Sequence, residues 1–134
     1  MTEIKKITKI SLLAYGIVNI IYGPLGIFFP DFGIILGITT PTTNPYVLRF
    51  MGATLLGISI FAFIILIKKD WEWEKIKFAY EFLYYLLIAN IILEPTKLAF
   101  GTPTSLMISQ TIMDMIIMVA LLVLGVYSYI KQRD

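Results

Sequence analysis

Apolar residues fall in four long runs, at about positions 7–29, 46–67, 78–100 and 105–130, and polar residues gather in the short stretches between them. An α-helix rises about 1.5 Å per residue, so each run is long enough to cross a hydrocarbon layer about 30 Å thick. The pattern predicts an all-α fold, an integral membrane four-helix bundle in a single domain. No repeat, low-complexity tract or second domain interrupts it. The first connection is the least regular: Pro30, Pro41 and Pro45 punctuate it, yet residues 32–38 are apolar. Asp31 is placed to cap a short turn of helix there, from which Phe32, Ile35 and Leu36 would dip into the membrane interface. The alternative is an apolar loop packed over the end of the bundle.

Composition agrees. Only 15% of the 134 residues are charged and 58% are hydrophobic, too little polar surface for a soluble domain of this size. The first run lacks a small-residue cleavage site leading into a soluble domain and is read as a retained helix. Charge then orients the bundle. Lys5, Lys6 and Lys9 precede helix one, and Lys68, Lys69, Lys75 and Lys77 lie between helices two and three. Lys131 and Arg133 follow helix four, leaving only Arg49 and Lys97 for the other two connections. Short basic loops stay cytoplasmic, so both termini and the 68–77 connection are expected on the cytoplasmic side of the cell membrane. Trp71, Trp73, Tyr127 and Tyr129 are expected to form an inner interfacial belt, and Tyr46, Phe50 and Phe100 an outer one.

Helix one carries Gly16, Asn19, Gly23 and Gly26 on one face, with Tyr15, Asn19 and Tyr22 on an adjacent polar stripe. Small residues let helix backbones approach closely, which stabilises helix pairs where the surrounding lipid is as apolar as leucine. Gly52, Ala53 and Gly57 continue the theme on helix two, so helix two is expected to pack on helix one. A homodimer seam is the alternative use of the same residues. Pro24 is expected to bend helix one.

Polar residues at membrane depth are the candidate site. Arg49 opens helix two, and Glu94 and Lys97 sit three apart near the outer end of helix three. Asp114 lies roughly 12 Å below the outer end of helix four. Gln110 is one turn above Asp114, Asn90 one turn below Glu94, and Asn19 is at a similar depth. A lone charge there costs at least about 2.5–3.5 kcal/mol on insertion scales. Arg49 is therefore expected to pair with Glu94, Asp114 or both, its planar fork allowing bidentate contact, while Lys97 turns outward. Such a cluster is either a clasp that fixes helix register or a polar pocket for a small molecule, lipid head group or ion. Glu81 is expected to pair with Lys77 near the inner boundary, and Pro95 to kink or end helix three. Tyrosines 80, 84 and 85 are expected to pack against glycine-rich helices.

The chain has no cysteine and no histidine. Iron–sulfur clusters, thiolate metal sites and bis-histidine haem are excluded, and neither a metal nor a cofactor is expected. Any general acid or base must be a carboxylate, a tyrosine or a lysine. The net charge of +2 carries no signal for nucleic acid.

The run Tyr15-Gly16-Ile17-Val18-Asn19 through Tyr22-Gly23-Pro24-Leu25-Gly26 ends at Pro30, and helix two opens Leu48-Arg49-Phe50-Met51-Gly52 and continues to Leu56-Gly57. Over most of its length the chain resembles the small four-helix DoxX-like membrane proteins. That resemblance implies an acidic residue in helix four, which Asp114 would supply, and for some members a role as quinone-linked oxidoreductase subunits. Where such proteins tend to carry an arginine near the end of helix three, this chain has Glu94 and Lys97. Glu94 and Asp114 also give it a likeness to sterol-isomerase-like and sigma-2-receptor-like proteins, which hold ligands around intramembrane carboxylates. The expected function is a non-catalytic binding module or accessory subunit. Its partners would be the lipid bilayer, a lipid or small apolar molecule, and a second copy or larger membrane complex. A membrane enzyme of the isomerase or quinone-linked type is the alternative, and an ion or solute pathway a third.

Overall fold

A computed structural model of the chain describes residues 3–35, 44–68, 71–99 and 102–134, with side chains for all of these except 32–34. The elements are α1 (Lys6–Phe28), α2 (Pro30–Ile35), α3 (Pro45–Ile67), α4 (Trp73–Leu93) with a 3-10 extension (Glu94–Leu98), and α5 (Ser105–Arg133). α1, α3, extended α4 and α5 are each long and apolar enough to cross a membrane. Among the described residues there is no strand; Glu3 and Glu72 form a single antiparallel backbone bridge.

Local chemistry sets the helix ends. Asn44 accepts the Tyr46 N–H at 2.9 Å while Pro45 presets the first turn of α3. Thr104 caps α5 in the same way, accepting from the Met107 N–H at 3.2 Å. Pro95 has no N–H to offer the preceding turn, so α4 ends at Leu93 and tightens into the 3-10 extension. Pro24 does not end α1, which runs through it. The short α2 forms, with Asp31 in its first turn and Ile35 exposed. Leu36, Lys69 and Phe100 lie outside the described residues.

The connection ahead of α4 is shorter than the expected 68–77. Trp73, Lys75 and Lys77 already belong to the helix, because lysines on an exposed helix face keep their charges in water. Trp73 is therefore not an interfacial belt residue: it is 5% exposed and packs edge-on to Tyr80 and Tyr129.

α1 is the hub. Its glycine face lies against α3: a Cβ on Gly52 would fall 2.6 Å from the Gly23 carbonyl oxygen and 2.8 Å from Ile27 N. One on Gly26 would fall 3.0 Å from the Leu48 oxygen. Ser59 adds a hydrogen bond to the Gly16 oxygen at 2.8 Å. Ala53 and Gly57 point elsewhere; both are exposed, and nothing lies within 4 Å of a Cβ built on Gly57.

α1 also packs on α5, and α5 on α4. The apolar core fills the half of the bundle nearest the lysine-rich ends, where Leu12, Tyr15, Ile76, Tyr80, Leu83 and Tyr84 meet Ile65 and Leu121. The ring of Tyr84 occupies the space that a side chain on Gly125 would need, so tyrosine packs on glycine here, but on α5 and without Tyr85, which is 64% exposed. Tyr84 and Ser11 share a hydrogen bond, and the Tyr80 hydroxyl lies 3.1 Å from Ser11 Oγ and donates to the Gly125 oxygen at 3.0 Å. Tyr15 donates to the Leu83 oxygen at 3.1 Å.

The glycines divide into two classes that substitution separates. Gly52→Val is expected to cost about 3 kcal/mol or more, the upper end for overpacking, because backbone must move to admit it. Gly57→Ala is expected to be neutral or stabilising by up to about 1 kcal/mol, from helix propensity alone. Thermal unfolding in detergent, followed by circular dichroism, checks both; equal effects would mean that α1 and α3 do not meet at Gly52.

Candidate functional site

Away from the aromatic core, polar side chains from α1, α4 and α5 converge. The Thr104 cap sets the register of α5, which places Gln110 and Asp114, one turn apart, on the same side. The 3-10 turn at the end of α4 does the same for Glu94 and Lys97, three residues apart. α1 supplies Tyr22.

Asp114 is the centre. Its Oδ1 accepts from the Tyr22 hydroxyl at 3.0 Å and from Gln110 Nε2 at 2.9 Å, and its Oδ2 lies 3.7 Å from Lys97 Nζ. Lys97 is at the same time hydrogen-bonded to Glu94, so one ammonium serves two carboxylates. The side chains are 12% exposed at Asp114, 18% at Lys97 and 21% at Glu94, so all three are partly enclosed. Low surrounding polarity strengthens each of these contacts and raises the cost of leaving any of them unmade.

Of the predicted set, Glu94, Lys97, Asp114 and Gln110 come together. Arg49 does not join them. It is exposed on α3 and forms no ion pair with a described residue. The reason lies in the packing: α3 rests on α1 and α2 and not closely on α4 or α5, so its first turn starts from the wrong side of α1. Lys97, expected to turn outward, takes the inward role instead. Asn19 is 5% exposed but donates back along its own helix to the Tyr15 oxygen at 2.7 Å. Asn90 is half-buried, and its side chain makes no hydrogen bond to a described residue. Tyr22 is the addition. Its signal in the sequence was a hydroxyl on the polar stripe of α1, in surroundings where a buried tyrosine must find an acceptor.

Glu81 stands apart, near the lysine-rich end of α4. Lys77 Nζ lies 4.0 Å from its carboxylate, as the spacing implies, and the Tyr129 hydroxyl donates to it at 2.5 Å.

In comparisons with known proteins, the chain matches no family model, no curated protein and no solved structure.

The two candidate cations respond differently to removal. Lys97→Met leaves two partly enclosed carboxylates without their shared cation and is expected to destabilise by about 1–3 kcal/mol, less than breaking a fully buried pair from one side. Adding Glu94→Gln should recover part of that loss, since it removes the repulsion. Arg49→Gln is expected to change stability by no more than about 0.5 kcal/mol. A double-mutant series of unfolding curves in detergent reads all three, and a loss at Arg49 equal to that at Lys97 would assign the cluster the wrong cation.

Proposed function

We propose that this is a small polytopic membrane protein of the DoxX-like type, with both termini on the cytoplasmic side. We assign it the role of a binding module, acting alone or as an accessory subunit, for a small molecule or lipid head group that carries a positive charge. The observation that supports this most directly is the charge balance around Asp114. Two carboxylates share a single ammonium, and Tyr22 and Gln110 add neutral donors. A clasp that only fixes register works best with matched charges. A surplus carboxylate in a partly enclosed cluster instead favours an incoming cation, which would complete the neutralisation. The same surplus supports a second reading, a proton-transferring membrane enzyme, because one carboxyl beside another readily holds a proton. Conversion of a bound ligand, in place of its retention, would favour that reading.

Dodecylamine is a suitable probe and dodecanol its neutral control. At a concentration near one hundred times its dissociation constant, the amine is expected to stabilise the purified protein by about 2.7 kcal/mol, and the alcohol much less. Asp114→Asn should abolish the difference. Equal stabilisation by amine and alcohol would remove the cation-binding reading.

Orientation has its own test, made clean by the absence of native cysteine. A membrane-impermeant maleimide applied to intact cells is expected to label Thr102→Cys and to spare Lys6→Cys. The reverse pattern would invert the bundle.

A further inference from the structure

At the lysine-rich end, a hollow of about 540 Å³ opens between the start of α1 and the end of α5, lined by Lys5, Ile7, Tyr127, Lys131 and Asp134. Its cationic wall is built in. Gln132, 2% exposed, accepts from the Lys5 N–H and the Thr8 hydroxyl at 2.8 Å each, and its own amide donates to the Glu3 oxygen at 2.8 Å. The chain entering α1 is thereby fixed to the last turn of α5. Lys5 Nζ donates to the Lys131 carbonyl oxygen at 2.6 Å, which holds its ammonium over the end of α5, and both lysines line the hollow. Neither Lys5 nor Lys131 has an ion-pair partner among the described residues. Ile7 and half-exposed Tyr127 supply the apolar part of the lining, and Ile10, Val123 and Val126, within one turn of them on α1 and α5, are exposed.

We infer that this hollow seats an anionic phospholipid. The phosphate lies between the ammonium groups of Lys5 and Lys131, and the glycerol and first methylenes lie on Ile7 and Tyr127. The acyl chains follow the apolar surface of α1 and α5. Free phosphate would use the same two ammonium groups but leave the apolar lining uncovered, so the lipid is the better match. Asp134, also in the lining, disfavours added negative charge, which favours a head group bearing one phosphate charge over a multiply charged one. The seat is separate from the Asp114 cluster and does not depend on what that cluster binds.

Native mass spectrometry of the full chain in detergent tests this with phosphatidylglycerol and phosphatidylcholine as probes. The unmodified protein is expected to retain one phosphatidylglycerol at least tenfold more strongly, at about fivefold for each basic side chain near the head group. Lys5→Ala with Lys131→Ala should remove that preference, while Lys68→Ala with Lys75→Ala, an equal charge loss at the same end, should keep it. Lys131→Glu alone, which leaves the Gln132 clamp intact, should lower retention in the same direction and guards against misfolding of the double variant. No preference in the unmodified protein would overturn the proposal, as would equal losses in the two double variants. Displacement of the lipid by inorganic phosphate at matched concentration would overturn it in favour of a free-anion site.

Discussion

The backbones of α1 and α3 touch through Gly23, Gly26 and Gly52, and the rest of the bundle is arranged around that contact. With its small residues committed to α3, α1 turns a neighbouring stripe toward α4 and α5. The stripe is polar: Thr8, Ser11, Tyr15, Asn19 and Tyr22 recur at three- and four-residue steps, the spacing of one helical seam. Four members bond across to other helices, Thr8 to Gln132, Ser11 to Tyr84, Tyr15 to the Leu83 oxygen and Tyr22 to Asp114, while Asn19 bonds the Tyr15 oxygen of its own helix. In apolar surroundings each unmade bond would carry the full desolvation penalty of the group, so the stripe specifies one register of α1 against its neighbours. Glycine sets the distance on one side and hydrogen bonds set the register on the other.

The two ends of the bundle solve different problems. Near the lysine-rich end, Trp73, Tyr80, Tyr84 and Tyr129 stack and tilt against one another with ring centroids 4.8–6.4 Å apart, and their hydroxyl groups are absorbed by Ser11, Gly125 and Glu81. Large rings fill that half, and α4 reaches α1 through them. Toward the other end the aromatic core gives out, and what joins α1, α4 and α5 is the cluster around Asp114. Packing stability is concentrated in one half and enclosed charge in the other.

Charge separates along the same axis. Among the described residues, every lysine except Lys97 gathers with Arg133 at the aromatic end, and the cluster at the opposite end holds two carboxylates to one ammonium. A chain with a net charge of only +2 is therefore uneven in charge from one end to the other.

Four membrane-length helices, the lysine asymmetry and the meeting of α1 with α3 through small residues were legible from residue order alone. Hydropathy over about 20 residues and the presence or absence of a Cβ are properties of the chain itself. The positions of Glu94, Lys97, Asp114 and Gln110 along their helices were legible for the same reason, since rise along a helix follows from counting residues. Which cation faces Asp114 was not. Arg49 and Lys97 stand near equivalent ends of their helices, and choosing between them depends on which helix lies beside α5. That adjacency was decided by the tertiary structure, through the placement of α3 against the glycine face of α1. The 3-10 turn after Pro95 then carried Lys97 inward. Likewise only packing turned Trp73 into a core residue, left Ala53 and Gly57 on the surface, and brought the Tyr22 hydroxyl to a carboxylate ninety-two positions away. Linear order specifies how far along its helix a side chain sits; only the arrangement of the helices around one another specifies what it faces.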